Sequence, residues 1–250
     1  MRKLFGLPLL FVASSSAAVP PTWVPGMPWE PLAPYVTPGQ DEPGYRNWYM
    51  AAPAHAASVN ALNAYLVTYG VGGVVPTWQL LRTASDWQKC GAPAFEVPPT
   101  SEWPNVVQTL RYIRDKVIPI LGPVEPVSVH RNPALNQCAG GAQESAHRFM
   151  QAVDLVPLRP ITRSDMIRTL CATHERSGVG YGVGLGFYVG LRFHIDSRKF
   201  RTWGVNDSGS IACARSYELA HAMDAAAASH AEPQPKPTSP IEPGQPTTSQ

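Results

Sequence analysis

The sequence predicts an α+β fold: one compact domain with a small, mainly antiparallel sheet and flanking helices. Three observations predict it. Apolar residues recur at helical spacing in several stretches, most clearly at Val106, Leu110, Ile113 and Val117. Short strand-like runs stand at 126–130, 152–156 and 192–197. Helices and strands mix without the repeating strand–helix–strand order of a parallel sheet.

Taken in order, the chain opens with Arg2 and Lys3, an apolar run from Phe5 to Val12, and the small residues Ser14 to Ala18. This pattern predicts a secretory signal over 1–18, cleaved after Ala17 or Ala18. The apolar run falls short of the roughly 20 residues that cross a bilayer, so no stable membrane insertion is expected after cleavage. Residues 19–53 are rich in proline and aromatics, including Trp23, Trp29, Tyr35, Tyr45, Trp48 and Tyr49. Proline at that density predicts an extended arm, part of it packed on the domain through its aromatics.

The domain itself is expected over 54–229. Val59, Leu62, Leu66 and Tyr69 predict a helix over 54–69, ended by Gly70, Gly72 and Gly73. Val74 to Leu81 is ambiguous between strand and helix, and 93–104 reads as a loop. The stripe at 106–117 predicts a helix started after Pro104 and stopped by Pro119 and Gly122. Residues 132–143 read as a loop. Thr162 and Asp165 resemble a capping box that opens a helix through about Arg176. A glycine-rich stretch follows over 178–190, punctuated by Tyr181, Phe187 and Tyr188, and this stretch with Tyr181 is a candidate lining of a cleft. An alanine-rich helix is expected over 218–228, and the Pro/Ser/Thr/Gln-rich end, 230–250, reads as disordered.

Export to the periplasm or cell envelope changes how the four cysteines are read. Cys90, Cys138, Cys171 and Cys213 are well separated, which suits two disulfides and not a four-thiolate zinc site. Three pairings are possible, and we favour Cys90–Cys138 with Cys171–Cys213. The net charge is +2 and no Lys/Arg-rich run occurs, so nothing marks a nucleic-acid partner.

The chemistry concentrates between His130 and Asp154 and again between Arg192 and Arg198. Histidine and carboxylate are the ligand types of catalytic zinc, which takes three protein ligands and leaves a position open. His147 and Asp154 stand too far apart to share an ion from one helix, since seven residues span about 10.5 Å. They converge if His147 lies in a turn and Asp154 on the next strand. His194 then completes the set from a neighbouring strand, where His194 and Asp196 share a face and Ile195 points inward. Of the seven histidines, His55, His174, His221 and His230 are read as structural or surface residues, and His130 stays undecided.

These residues carry a resemblance. Ser145, His147, Ala152 and Asp154 fit the pattern Ser-x-His-x-x-Gly-x-Ala-x-Asp. Arg131-Asn132-Pro133 fits an upstream turn, and Phe193-His194-Ile195-Asp196 fits a downstream strand. In that order and over about 127–203, the chain resembles the zinc peptidases of the D-alanyl-D-alanine carboxypeptidase type. The resemblance implies one zinc ion on His147, Asp154 and His194. It also implies an exported metallopeptidase acting on peptidoglycan stem peptides, as carboxypeptidase or endopeptidase. Arg131 would hold a substrate oxygen, and Ser145 would bind substrate or fix the turn. Two positions depart from the family pattern: Met150 stands where a glycine is usual, and Leu191 where many members carry the catalytic acid. Asp196 is then the first candidate for the general base, with orientation of a ligand as its alternative role, and Glu144 is a weaker candidate. The missing acid also leaves open a module that binds zinc and wall peptide without hydrolysis.

Overall fold

Five strands form one sheet in the order β1-β2-β4-β3-β5. They are β1 (Val124–Ser128), β2 (Ala152–Pro157), β3 (Gly184–Phe187), β4 (Phe193–Asp196) and β5 (Arg201–Gly204). Three pairings are antiparallel, and β5 joins β3 in parallel. The computed structural model describes residues 32, 35–204 and 213–214. The expected signal sequence, the 218–228 helix and the 230–250 tail lie outside the described residues.

The helices are α1 (Glu42–Ala51), α2 (Pro53–Thr68), α3 (Trp103–Tyr112), α4 (Ile118–Leu121), α5 (Pro133–Cys138) and α6 (Arg163–Tyr181). The predicted stripe is the core of the fold: Val106, Leu110, Ile113 and Val117 are each fully buried. Burying an aliphatic side chain of this size stabilises a fold by roughly 1.5–3 kcal/mol. The helix does not stop at Pro119, as the sequence suggested. A π turn over Ile113–Val117 sends the Ile118 N–H to the Ile113 carbonyl, and α4 then runs through Pro119. Proline is tolerated in the first turn of a helical segment, where its N–H would have no partner. Gly122, at φ 76°, ends the run.

Residues 42–51 are helical, which corrects the expectation of an extended arm. Asp41 caps α1 by accepting the Gly44 N–H, and Pro43 occupies its first turn. The aromatics do pack on the domain: Tyr45 stacks on Trp78 and meets Phe95 edge-on. Buried Arg82 holds this segment to β1. Its guanidinium donates to the Gln40 and Pro126 carbonyls and pairs with Glu125 at 2.6 Å.

Three further differences concern loops. Val74–Leu81 ends in a 3-10 turn, Thr77–Leu81. The expected loop at 132–143 contains α5, capped by Asn132 with Pro133 in its first turn. The glycine-rich stretch 178–190 holds the end of α6, through Tyr181, and the whole of β3. Both favoured disulfides are present, Cys90–Cys138 and Cys171–Cys213. Among the described residues, no helix is long and apolar enough to cross a membrane.

Candidate metal centre

β2 and β4 place Asp154 directly opposite His194 in an antiparallel register. The short 3-10 turn Ala146–Phe149 carries His147 toward them. Ser145 starts this turn, its hydroxyl accepting the His147 N–H. Met150 ends it with φ 52° and ψ 25°, the one non-glycine residue with positive φ among those described. This left-handed conformation costs an L-residue roughly 1–2 kcal/mol, and glycine avoids it. Met150, where the resembled motif has glycine, is therefore a strained position. The Met150 side chain is fully buried, and its packing offsets the strain.

Three atoms converge. His147 Nε2 lies 3.2 Å from Asp154 Oδ1 and 3.2 Å from His194 Nδ1, and the latter two are 2.9 Å apart. A tetrahedral zinc ion holds nitrogen and oxygen ligands about 3.4 Å from one another at its usual bond lengths. The triangle is slightly tighter than that, and two imidazoles with one carboxylate are a suitable donor set. His147, Asp154 and His194 form a buried group able to hold a metal ion.

Each ligand is fixed by an outer partner. His147 Nδ1 donates to the Val129 carbonyl at 2.6 Å, which leaves the Nε2 lone pair facing the centre. His194 donates from Nε2 to Asp196 Oδ2 at 3.0 Å, which leaves Nδ1 facing it. Asp154 directs Oδ1 to the histidines, while Oδ2 accepts from Arg131 at 2.6 Å and from Arg192 at 2.5 Å. Arg131 is aimed in turn by Ser128, whose hydroxyl accepts from its Nε.

The charges follow from these contacts. Burial alone would raise the Asp154 carboxyl, but Arg192 and the two histidines outweigh it and hold it well below the usual range. Burial lowers His147 to about 4, aided by Arg131 and opposed by Asp154. Burial also works against a proton on His194, yet its bonds to Asp154 and Asp196 prevail and raise its pKa.

Asp196 lies on the far edge of the His194 ring from the centre. Its oxygens are taken up by His194, twice by Arg201, and by the Arg198 N–H. Of the two roles the sequence left open, this geometry assigns orientation of His194. The expectation of Asp196 as general base is corrected accordingly. Glu144 lies at the rim of the cleft, its side chain 72% exposed and near Arg198. Leu191 packs on the core, its N–H donating to the Tyr35 hydroxyl. His130 turns away, toward Glu102 and Glu96. Tyr181 does not line the cleft; its hydroxyl donates to Asp115.

The centre opens on a cleft of about 560 Å³, whose lining includes Arg131, Ser145, Tyr188, Arg192 and Trp203. Arg192, Arg201 and Trp203 have no role in the sequence reading, while Tyr188 falls within the 178–190 stretch expected to line a cleft. Arg192 was accessible to it, since position 192 shares a strand face with 194 and 196. The others depend on β5 and on the β3–β4 hairpin. The glycines of β3 make that hairpin possible. A Cβ on Gly184 would stand 2.6 Å from Asp196 Oδ2, and one on Gly186 would stand 2.2 Å from the Trp203 ring. No family model, no curated protein and no solved structure matches this chain.

Proposed function

We propose that the protein is an exported zinc metallopeptidase that cleaves D-amino-acid-containing peptides of peptidoglycan. The observation that carries the metal-dependent part is the triangle of His147 Nε2, Asp154 Oδ1 and His194 Nδ1, each ligand held by an outer partner. The substrate class rests on the motif resemblance in Ser145–Asp154 and Phe193–Asp196. Two disulfides suit an oxidising compartment and so support export.

A bound zinc ion supplies Lewis acidity and a water acidified toward pKa 7. The residues around it supply the rest. Arg131, 3.4 Å from His147 Nε2 and lining the cleft, would hold the scissile carbonyl oxygen. Ser145 acts by fixing the turn that presents His147. Asp196 keeps the proton of His194 on Nε2 and so keeps Nδ1 free to bind the ion.

A second reading, a module that holds zinc and wall peptide without cutting it, is favoured by one observation. Position 191 is a core-packed leucine, and Asp196 is committed to His194 and Arg201. Zinc-loaded protein incubated with purified cell wall separates the two readings. Release of D-alanine or of new peptide termini, detected by mass spectrometry and abolished by chelator, supports the peptidase. Binding to the wall with no product supports the module.

A further inference from the structure

We propose that Arg192 is a specificity-determining residue that takes the free C-terminal carboxylate of the substrate, which makes this site one for chain ends and not for cross-links. The inference rests on the peptidase reading and deepens it.

Arg131 and Arg192 meet the same oxygen, Asp154 Oδ2, so their Nη2 atoms stand no more than about 5 Å apart. Successive carbonyl groups along an extended peptide repeat every 3.3–3.6 Å or so. A scissile carbonyl held by Arg131 therefore puts the next carbonyl group, one residue onward, within reach of Arg192. In an exopeptidase substrate that next group is the terminal carboxylate. A guanidinium matches it in charge and in its paired oxygens.

Arg192 is equipped for such a ligand. Its guanidinium lies 4.1 Å from the Tyr188 ring centroid, which fixes its plane. The Tyr188–Arg192 turn is closed by the Tyr188 N–H donating to the Arg192 carbonyl. Tyr35 braces the same turn from outside, through the Leu191 N–H and the Val189 carbonyl. Arg192 Nε is buried and has no hydrogen-bond partner among the described residues. Three guanidiniums, those of Arg131, Arg192 and Arg201, surround two carboxylates, Asp154 and Asp196. The centre carries excess positive charge before any metal binds, and a divalent ion adds to it. Such a site favours an anionic ligand. The acids that line the cleft, Asp86 and Glu144, are far more exposed, with side chains 48% and 72% accessible.

The test is equilibrium binding of N-acetyl-D-alanine and of its C-terminal amide to the zinc-loaded full chain, by calorimetry. The wild type is expected to bind the amide about 10- to 100-fold more weakly, the value of a charge-assisted contact. Arg192→Gln is expected to bind the two alike and Arg192→Lys to recover part of the preference; because Arg192 also holds Asp154, both variants are compared at full zinc occupancy, checked by elemental analysis. Equal binding of acid and amide by the wild type overturns the proposal, as does full preference in Arg192→Gln. If Arg192→Gln loses zinc or melts early, Arg192→Lys at full zinc occupancy decides: a reduced or lost preference supports the proposal, and the full wild-type preference refutes it. Cleavage of wall peptide, followed in parallel, separates the two claims. A protein that cuts but ignores the carboxylate refutes the role of Arg192 alone. One that prefers the carboxylate but never cuts refutes the peptidase alone.

Discussion

The two histidines of the centre are held by different means. His147 is built from backbone. A capped turn presents it, a main-chain carbonyl takes its Nδ1 proton, and the left-handed Met150 returns the chain to β2. His194 is built from side chains. It stands on a strand, and its outer partner Asp196 is itself gripped by Arg201, over a face that Gly184 keeps clear. A carbonyl partner leaves an imidazole that burial can strip of its proton. A carboxylate partner stabilises the charged ring and raises its basicity. One ligand is thus tuned toward neutrality, the other toward strong donation.

The largest expected effects ignore this difference. His147→Ala and His194→Ala each remove one of three ligands and should abolish stoichiometric zinc, measured by elemental analysis of purified protein. Retention of a full equivalent in either variant would dismiss the centre.

The next effect depends on the difference. Asp196→Asn should lower zinc affinity by about 10- to 100-fold, the usual cost of losing an outer partner. Competition with a fluorescent chelator measures it. Gly184→Ala should act in the same direction by displacing Asp196 or Arg201. No single side-chain change can do the equivalent to His147, because its partner is the Val129 carbonyl.

Met150→Gly tests the backbone-built half. Relief of the left-handed strain returns roughly 1–2 kcal/mol. Deleting a buried methionine costs more, about 2–5 kcal/mol even when Ala replaces it. A net loss of about 1–3 kcal/mol is expected in denaturant unfolding, and a gain would show that strain dominates this turn.

The smallest effect is the pH response of metal-free protein. Burial and Arg131 hold folded His147 near 4, below its unfolded 6.5. Its contribution to stability is therefore present above pH 6.5 and lost as pH falls toward 4. The raised pKa of His194 has the opposite sign: its contribution is present below 6.5 and lost as pH rises through the folded value. The two slopes oppose each other, so the individual rings must be followed by imidazole NMR. His147 neutral and His194 charged at pH 6 is the expected pattern, and joint titration of the two would contradict it.

Much of this was legible in the chain. Spacing excluded a shared helix face and allowed His147 in a turn with Asp154 on the next strand, and alternation put His194 and Asp196 on one face, as observed. The α3 stripe marked the core because its period is helical whatever packs against it. The helix over 42–51 was hidden because proline was read by density and not by position; Pro43 and Pro53 both sit in first turns, where they are tolerated. The same rule, with Asn132 as cap, would have found α5.

By itself, the sequence pointed to the residues of the centre, through ligand type and a spaced motif resemblance, and its hydrophobic periods, which are local properties, determined that its elements mix helix and strand. Tertiary structure alone decided which partner each ligand keeps. Asp196 faces away from the centre, and Arg192 joins Arg131 on one oxygen of Asp154. The glycines of β3 make room for this outer network. These outcomes depend on how β2, β3, β4 and β5 lie side by side, and strand order is a long-range property that no local pattern encodes.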